Sequence, residues 1–177
     1  MAYNFSGIKV LVVESSRPLF ELVKGVLTLF TVPQSNVLSA YSMEEAYRKL
    51  CSERYDLIIV DWLENPDTGI RLARRIRTEK DSPNPYVPIL MTAGSGHLHK
   101  VMKARDAGVS EYLVKPFSAK TLAAKIERII EHPRPFVICD TFVGPDRRVR
   151  EKPFTGPERR HLAPEVSVVG AFQKDKN

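Results

Sequence analysis

Four short apolar runs, each closed by a polar residue, constrain this chain more than any other feature. The run from Asp56 ends on the carboxylate of Asp61, that from Ile8 to Val13 on Glu14, that from Val87 to Met91 on Thr92, and that from Tyr112 to Val114 on Lys115. Apolar runs of this length, without polar alternation, read as strands buried on both faces, the situation of a parallel sheet covered by helices. The carboxyl ends of parallel strands share one edge. The pattern therefore gathers two acids, a hydroxyl and an amine in one crevice.

The segments between the runs carry helical periods. From Arg17 to Phe30, apolar residues fall at Leu19, Phe20, Leu22, Val23, Val26, Leu27 and Phe30, with Pro18 tolerated in the first turn. Ser42 followed three residues later by Glu45 is a capping box opening a helix to about Glu53. Ile70, Ala73 and Ile76 mark a third helix, and a basic helix runs from about His97 to Ala107 with Gly108 as its C-terminal stop. Ser118 opens a fifth, through Leu122, Ile126, Ile129 and Ile130, while Asn36 to Ala40 supplies one more strand. Five strands alternating with five helices through short connections require right-handed crossovers. The expected class is α/β, a doubly wound five-stranded parallel sheet with helices on both faces.

At 177 residues, 43% of them hydrophobic, the chain suits one domain plus a tail. No apolar stretch is long enough to span a membrane, and the N-terminus lacks the charged start and apolar centre of a secretory signal, so a cytoplasmic protein without membrane contact is expected. Cys51 and Cys139 have neither zinc-site spacing nor histidine neighbours and read as reduced thiols. His97, His99 and His161 likewise show no metal spacing. The formal charge of +6 is spread out, and Arg71, Arg74, Arg75, Arg77 and Lys80 on one helix read as a solvated face.

Val13-Glu14, Asp61-Trp62, Thr92-Ala93 and Lys115-Pro116-Phe117, in this order and with eight residues from Asp61 to Gly69, resemble the landmarks of the bacterial response-regulator receiver domain of the chemotaxis-regulator kind. The resemblance covers about residues 7 to 132 and implies a flavodoxin-like fold. It also implies roles. Asp61 would be the phosphoacceptor, a carboxylate being able to form an acyl phosphate without an activating base. Lys115 would pair with Asp61 and then with a phosphoryl oxygen, and Thr92 would donate its hydroxyl to another. Drawing the threonine loop inward would let Tyr112 turn from outside to inside, making the helix before it, its strand and the last helix a switchable docking face. The implied partners are a histidine kinase or phosphotransfer protein and a downstream protein target, and no enzymatic turnover in the usual sense is implied.

Two departures bear on the implied cofactor, Mg2+. The family's pair of adjacent acids is here Glu14 followed by Ser15, whose neutral hydroxyl is a weaker ligand for a hard dication. With Glu14 and Asp61 set against Lys115, little surplus negative charge remains. The loop after Asp61 carries Pro66 one place later than usual, which leaves open the geometry of the Leu63 carbonyl, the expected third ligand beside Glu14 and Asp61; Glu64 is a substitute acid or a solvated one. Two accounts follow: a stand-alone receiver phosphorylated on Asp61 with weak or absent Mg2+ dependence, or a phosphorylation-independent pseudo-receiver acting as scaffold or second-messenger binder.

Residues 133–177 read as an irregular extension, too short and proline-broken for a DNA-binding helical module, so no direct DNA binding is expected. It contains a repeat: Phe142 to Arg148 and Phe154 to Arg160 both spell Phe-x-Gly-Pro-acid-Arg-Arg. Phe142, Arg147, Arg148, Phe154, Arg159 and Arg160 are candidate partner-binding residues, an aromatic anchor with an arginine fork suiting a protein groove or phosphates. Packing of the repeats on the domain itself, or an exposed linker, is the alternative. The paired arginines also admit a cyclic dinucleotide as ligand.

Overall fold

The computed structural model describes residues 5–63, 67–147 and, as backbone, 161–162. Five parallel strands form the central sheet: β1 (Val10–Val13), β2 (Val37–Ala40), β3 (Leu57–Asp61), β4 (Ile89–Ala93) and β5 (Glu111–Val114), in the order β2-β1-β3-β4-β5. The helices are α1 (Arg17–Leu29), α2 (Met43–Ser52), α3 (Thr68–Thr78), α4 (Leu98–Asp106) and α5 (Ala119–Glu131), with a 3-10 turn at Gln34–Asn36. The fold is therefore the flavodoxin-like doubly wound sheet that the alternation of runs and periods predicts.

Strand periodicity explains why both faces need cover. Leu11 and Val13 of β1 join Ile58, Val60, Ile89 and Met91 in one core under α2, α3 and α4. Val10 and Val12 join Leu57, Ile59 and Leu90 in the other, under α1 and α5. Successive side chains of one strand point to opposite faces, so a run of four consecutive buried residues feeds both cores. Burying each large aliphatic side chain is worth about 1.5–3 kcal/mol, which is why the central strands hold the molecule together.

Helix ends follow local chemistry, with one difference from expectation. Ser118 and Thr121 form a reciprocal capping box at α5. At α2 the Ser42 hydroxyl accepts from the Glu45 N–H at 3.1 Å, but the Glu45 carboxylate accepts from the Tyr41 N–H at 2.9 Å, one residue before the cap. Gly108, at φ +82°, stops α4 in the left-handed region that glycine tolerates.

Two expectations need correction. Arg77 is no part of a solvated face: it is 3% exposed, its Nε and Nη2 donating to the Gly108 carbonyl at 3.1 and 2.9 Å and its Nη1 to the Pro85 carbonyl at 2.7 Å. The extension is also not irregular at its start. β6 (Phe136–Cys139) and β7 (Phe142–Pro145) form an antiparallel hairpin, and β8 (His161–Leu162) pairs with the other edge of β6. The apolar residues Phe136, Val137 and Ile138 followed by the tight Asp140-Thr141 connection favour a hairpin despite the flanking prolines, and Pro145 sits at the end of an edge strand, where its missing N–H is harmless.

Candidate functional site

Register alone brings the predicted groups together. Val13 is paired with Val60, so Glu14 emerges beside Asp61; Asp61 is paired with Thr92; Ala93 is paired with Val114, so Lys115 follows at the same edge. The sheet order reverses between β1 and β3, and a crevice opens at such a switch point.

Lys115 is the hub of the crevice. Its Nζ lies 2.6 Å from Glu14 Oε2 and 2.8 Å from Asp61 Oδ1. Burial works against the ammonium, but the hydrogen bonds it donates to Asp61 and Glu14, together with the attraction of their charges, outweigh it and raise its pKa above the ordinary lysine value. Thr92 is buried, and its Oγ1 stands 3.5 Å from Asp61 Oδ1, at the outer limit of a hydrogen bond. Among the described residues no hydrogen bond or ion pair takes Asp61 Oδ2, and the carboxylate faces an opening lined by Ser15, Tyr41, Glu44, Leu63 and Thr68. The aspartate is thus oriented by a cation on one side and reachable from solvent on the other.

The loop after Asp61 is shaped by close backbone packing. A Cβ at Gly69 would lie 2.2 Å from the Asp61 carbonyl oxygen, so only glycine lets α3 begin this close to the strand, and its N–H donates to the Trp62 carbonyl at 3.0 Å. Leu63 and Asp67 both adopt positive φ, 48° and 59°. Glu64 and Pro66 lie outside the described residues.

The donor set does not fit a tightly held Mg2+. Such an ion wants about six oxygens, several of them carboxylate or water. Glu14 spends Oε2 on Lys115 and Oε1 on the Ser16 N–H at 2.8 Å, Ser15 offers a neutral hydroxyl, and the Leu63 carbonyl accepts from the Thr68 N–H at 3.3 Å. Glu14 and Asp61 against Lys115 leave one net negative charge.

A family model for the response regulator receiver domain matches residues 10–127. The chain belongs to the response-regulator receiver family. This receiver is 32% identical over 124 residues to the chemotaxis protein CheY of Pseudomonas aeruginosa, covering 70% of this chain and 97% of that protein. It is 26% identical over 129 residues to the phosphate regulon transcriptional regulatory protein PhoB of the same organism, covering 73% of this chain and only 54%, about half, of that protein. Among solved structures, the chemotaxis response regulator CheY4 of Vibrio cholerae matches with a TM-score of 0.61 at 28% identity, over 70% of this chain and 98% of that one. A response regulator from Thermotoga maritima matches with a TM-score of 0.60 at 29% identity, over the same 70% and 98%. The receiver is a two-component signalling domain, and the family match stops within α5, before the hairpin.

The remaining candidates divide. Tyr112 of the receiver is already turned in: it is half-buried, its hydroxyl donates to the Ser95 carbonyl at 2.6 Å, and its ring meets Trp62 edge-on at 6.4 Å. Burial raises its pKa. Of the first repeat, Phe142 is buried and Arg147 pairs with Asp106 at 2.9 Å, so this copy packs on the receiver. Arg148, Phe154, Arg159 and Arg160 lie outside the described residues. Sequence reasoning missed the α4 contacts to the Asp61 loop, where Lys103 pairs with Asp67 and Lys100 Nζ stands 5.3 Å from the Trp62 ring centroid. The Lys103 hydrogen bond lowers the Asp67 pKa. Pairs this far apart in sequence leave no periodic signal. No helix among the described residues is long and apolar enough to cross a membrane.

Proposed function

We propose that Asp61 accepts a phosphoryl group from a phosphohistidine of a kinase or phosphotransfer protein, and that the resulting change is passed on through protein contacts. The observation that carries this reading is the position of Lys115, held between Glu14 and Asp61 beside Thr92. An Asp61 carboxylate oxygen attacks phosphorus as the phosphorus–nitrogen bond of the donor breaks; the nitrogen keeps the electron pair of that bond, takes a proton from solvent, and leaves as neutral imidazole. Lys115 then faces a phosphoryl oxygen, and the Thr92 hydroxyl donates to another. The chain is the acceptor and does not turn over a substrate. With Ser15 in place of an acid, Lys115 supplies most of the fixed positive charge, and Mg2+ contributes little.

Among the described residues no contact favours a phosphorylation-independent scaffold. Arg147, half of one arginine pair offered for a cyclic dinucleotide, is already engaged by Asp106. Trp62 neighbours the acceptor and tests the proposal directly. Acetyl phosphate should change its fluorescence in the natural protein and leave Asp61→Asn unchanged; an equal response in both would remove Asp61 from the role.

A further inference from the structure

The β6–β7 hairpin is seated at the end of the sheet opposite the crevice, on the corner where α4 turns into β5. Its contact there is backbone against backbone. A Cβ on Gly144 would lie 2.7 Å from Gly108 Cα, and one on Gly108 would lie 2.7 Å from the Val143 carbonyl oxygen, so both glycines are needed for the approach. Arg77 binds the same corner from beneath through the Gly108 carbonyl, with the Phe136 ring centroid 5.0 Å from its Cζ. Arg147, its Cζ 4.1 Å from the Phe142 ring centroid, reaches Asp106, the last residue of α4, and Arg134 donates to the Ser110 carbonyl. Three alternate residues of this corner, Asp106, Gly108 and Ser110, are therefore held by the extension.

The crevice lies at the other end of α4 and β5. β5 carries Tyr112, whose hydroxyl is tied to Ser95 in the loop after Thr92, and α4 reaches back to the Asp61 loop through Lys103 and Lys100. We infer that the first Phe-x-Gly-Pro-Asp-Arg copy is an intramolecular brace that holds α4 and β5 with Tyr112 turned in, the arrangement in which Asp61 takes up a phosphoryl group. The coupling to phosphorylation rests on the function proposed above. Docking and phosphorylation favour one arrangement, so each strengthens the other by the same factor.

Gly144→Ala is the direct test, because its methyl would lie 2.7 Å from both Gly108 Cα and Phe142 Cζ, so the hairpin's seat on the corner must give without a residue of the receiver being altered; Arg147→Ala, at a half-exposed position, removes the Asp106 contact while leaving the hairpin's own strand pairing intact. In hydrogen exchange without phosphodonor, the brace predicts at least tenfold faster exchange across residues 94–112 in Gly144→Ala, a smaller rise in Arg147→Ala, and no change in β1–β3. Faster exchange confined to residues 136–147 would overturn the brace whether or not Asp61 is phosphorylated. With acetyl phosphate, adduct formation followed by intact mass should slow several-fold in Gly144→Ala. Normal adduct formation there would overturn the coupling, whereas no adduct in the natural protein would overturn the proposed function and leave the exchange result to judge the brace.

Discussion

At the residue scale, the site was legible wherever a strand end fixed it. Glu14, Asp61, Thr92 and Lys115 are each the polar terminus of an apolar run, and register makes them neighbours whatever the loops do. Leu63 was not legible in that way. Its carbonyl direction depends on a positive φ of 48° that no leucine advertises. The substitution that most reshapes the crevice should be Ser15→Asp, which restores a second acid next to Glu14. It should strengthen Mg2+ binding by at least tenfold, read as quenching of Trp62 on titration, and make phosphoryl uptake depend on the ion; an unchanged titration would show that the Leu63 carbonyl is the limiting ligand. Gly69→Ala tests the loop packing. Its methyl would lie 2.2 Å from the Asp61 carbonyl oxygen, and displacing that backbone should lower stability by about 1–3 kcal/mol in denaturant unfolding and slow uptake at Asp61.

Elements were read where periodicity is long. The α1 and α5 stripes each span 13 residues, and both helices end within a residue or two of their expected limits. The hairpin escaped because two four-residue strands between prolines give too short a pattern, and because its stability comes from Arg77, Gly108 and Asp106, contacts invisible in the local sequence. Arg77 shows how much an element depends on such contacts. Arg77→Met would leave the Gly108 and Pro85 carbonyls without their donor, and should cost about 2–5 kcal/mol while loosening the hairpin before the central sheet. Hydrogen exchange would resolve that order; simultaneous loss of both would contradict it. On α2, burial and then the hydrogen bond to Asp81 push the Tyr47 phenol up to about 12. A pKa raised in the folded state gives stability that is complete below the unfolded value of about 10 and is lost as pH rises towards 12. The melting temperature should therefore fall through that window, and Tyr47→Phe should flatten part of the fall.

At the scale of the whole molecule, the two edges of the parallel sheet have different tasks. The carboxyl edge gathers charge around Asp61, and the amino edge receives the extension at Gly108; α4 and β5 run between them. Two cores on opposite faces of one sheet make this frame stiff, so the proposed brace and acceptor predict that a change at one edge will move α4 and β5 rather than β1 and β3. The proposed function turns on Asp61 as acceptor. Intact mass spectrometry after acetyl phosphate, with and without Mg2+ and beside Asp61→Asn, tests it most directly. The account predicts one phosphoryl adduct, formed with little dependence on the ion and absent from the asparagine variant; no adduct under either condition, or an adduct that persists in the variant, would contradict it.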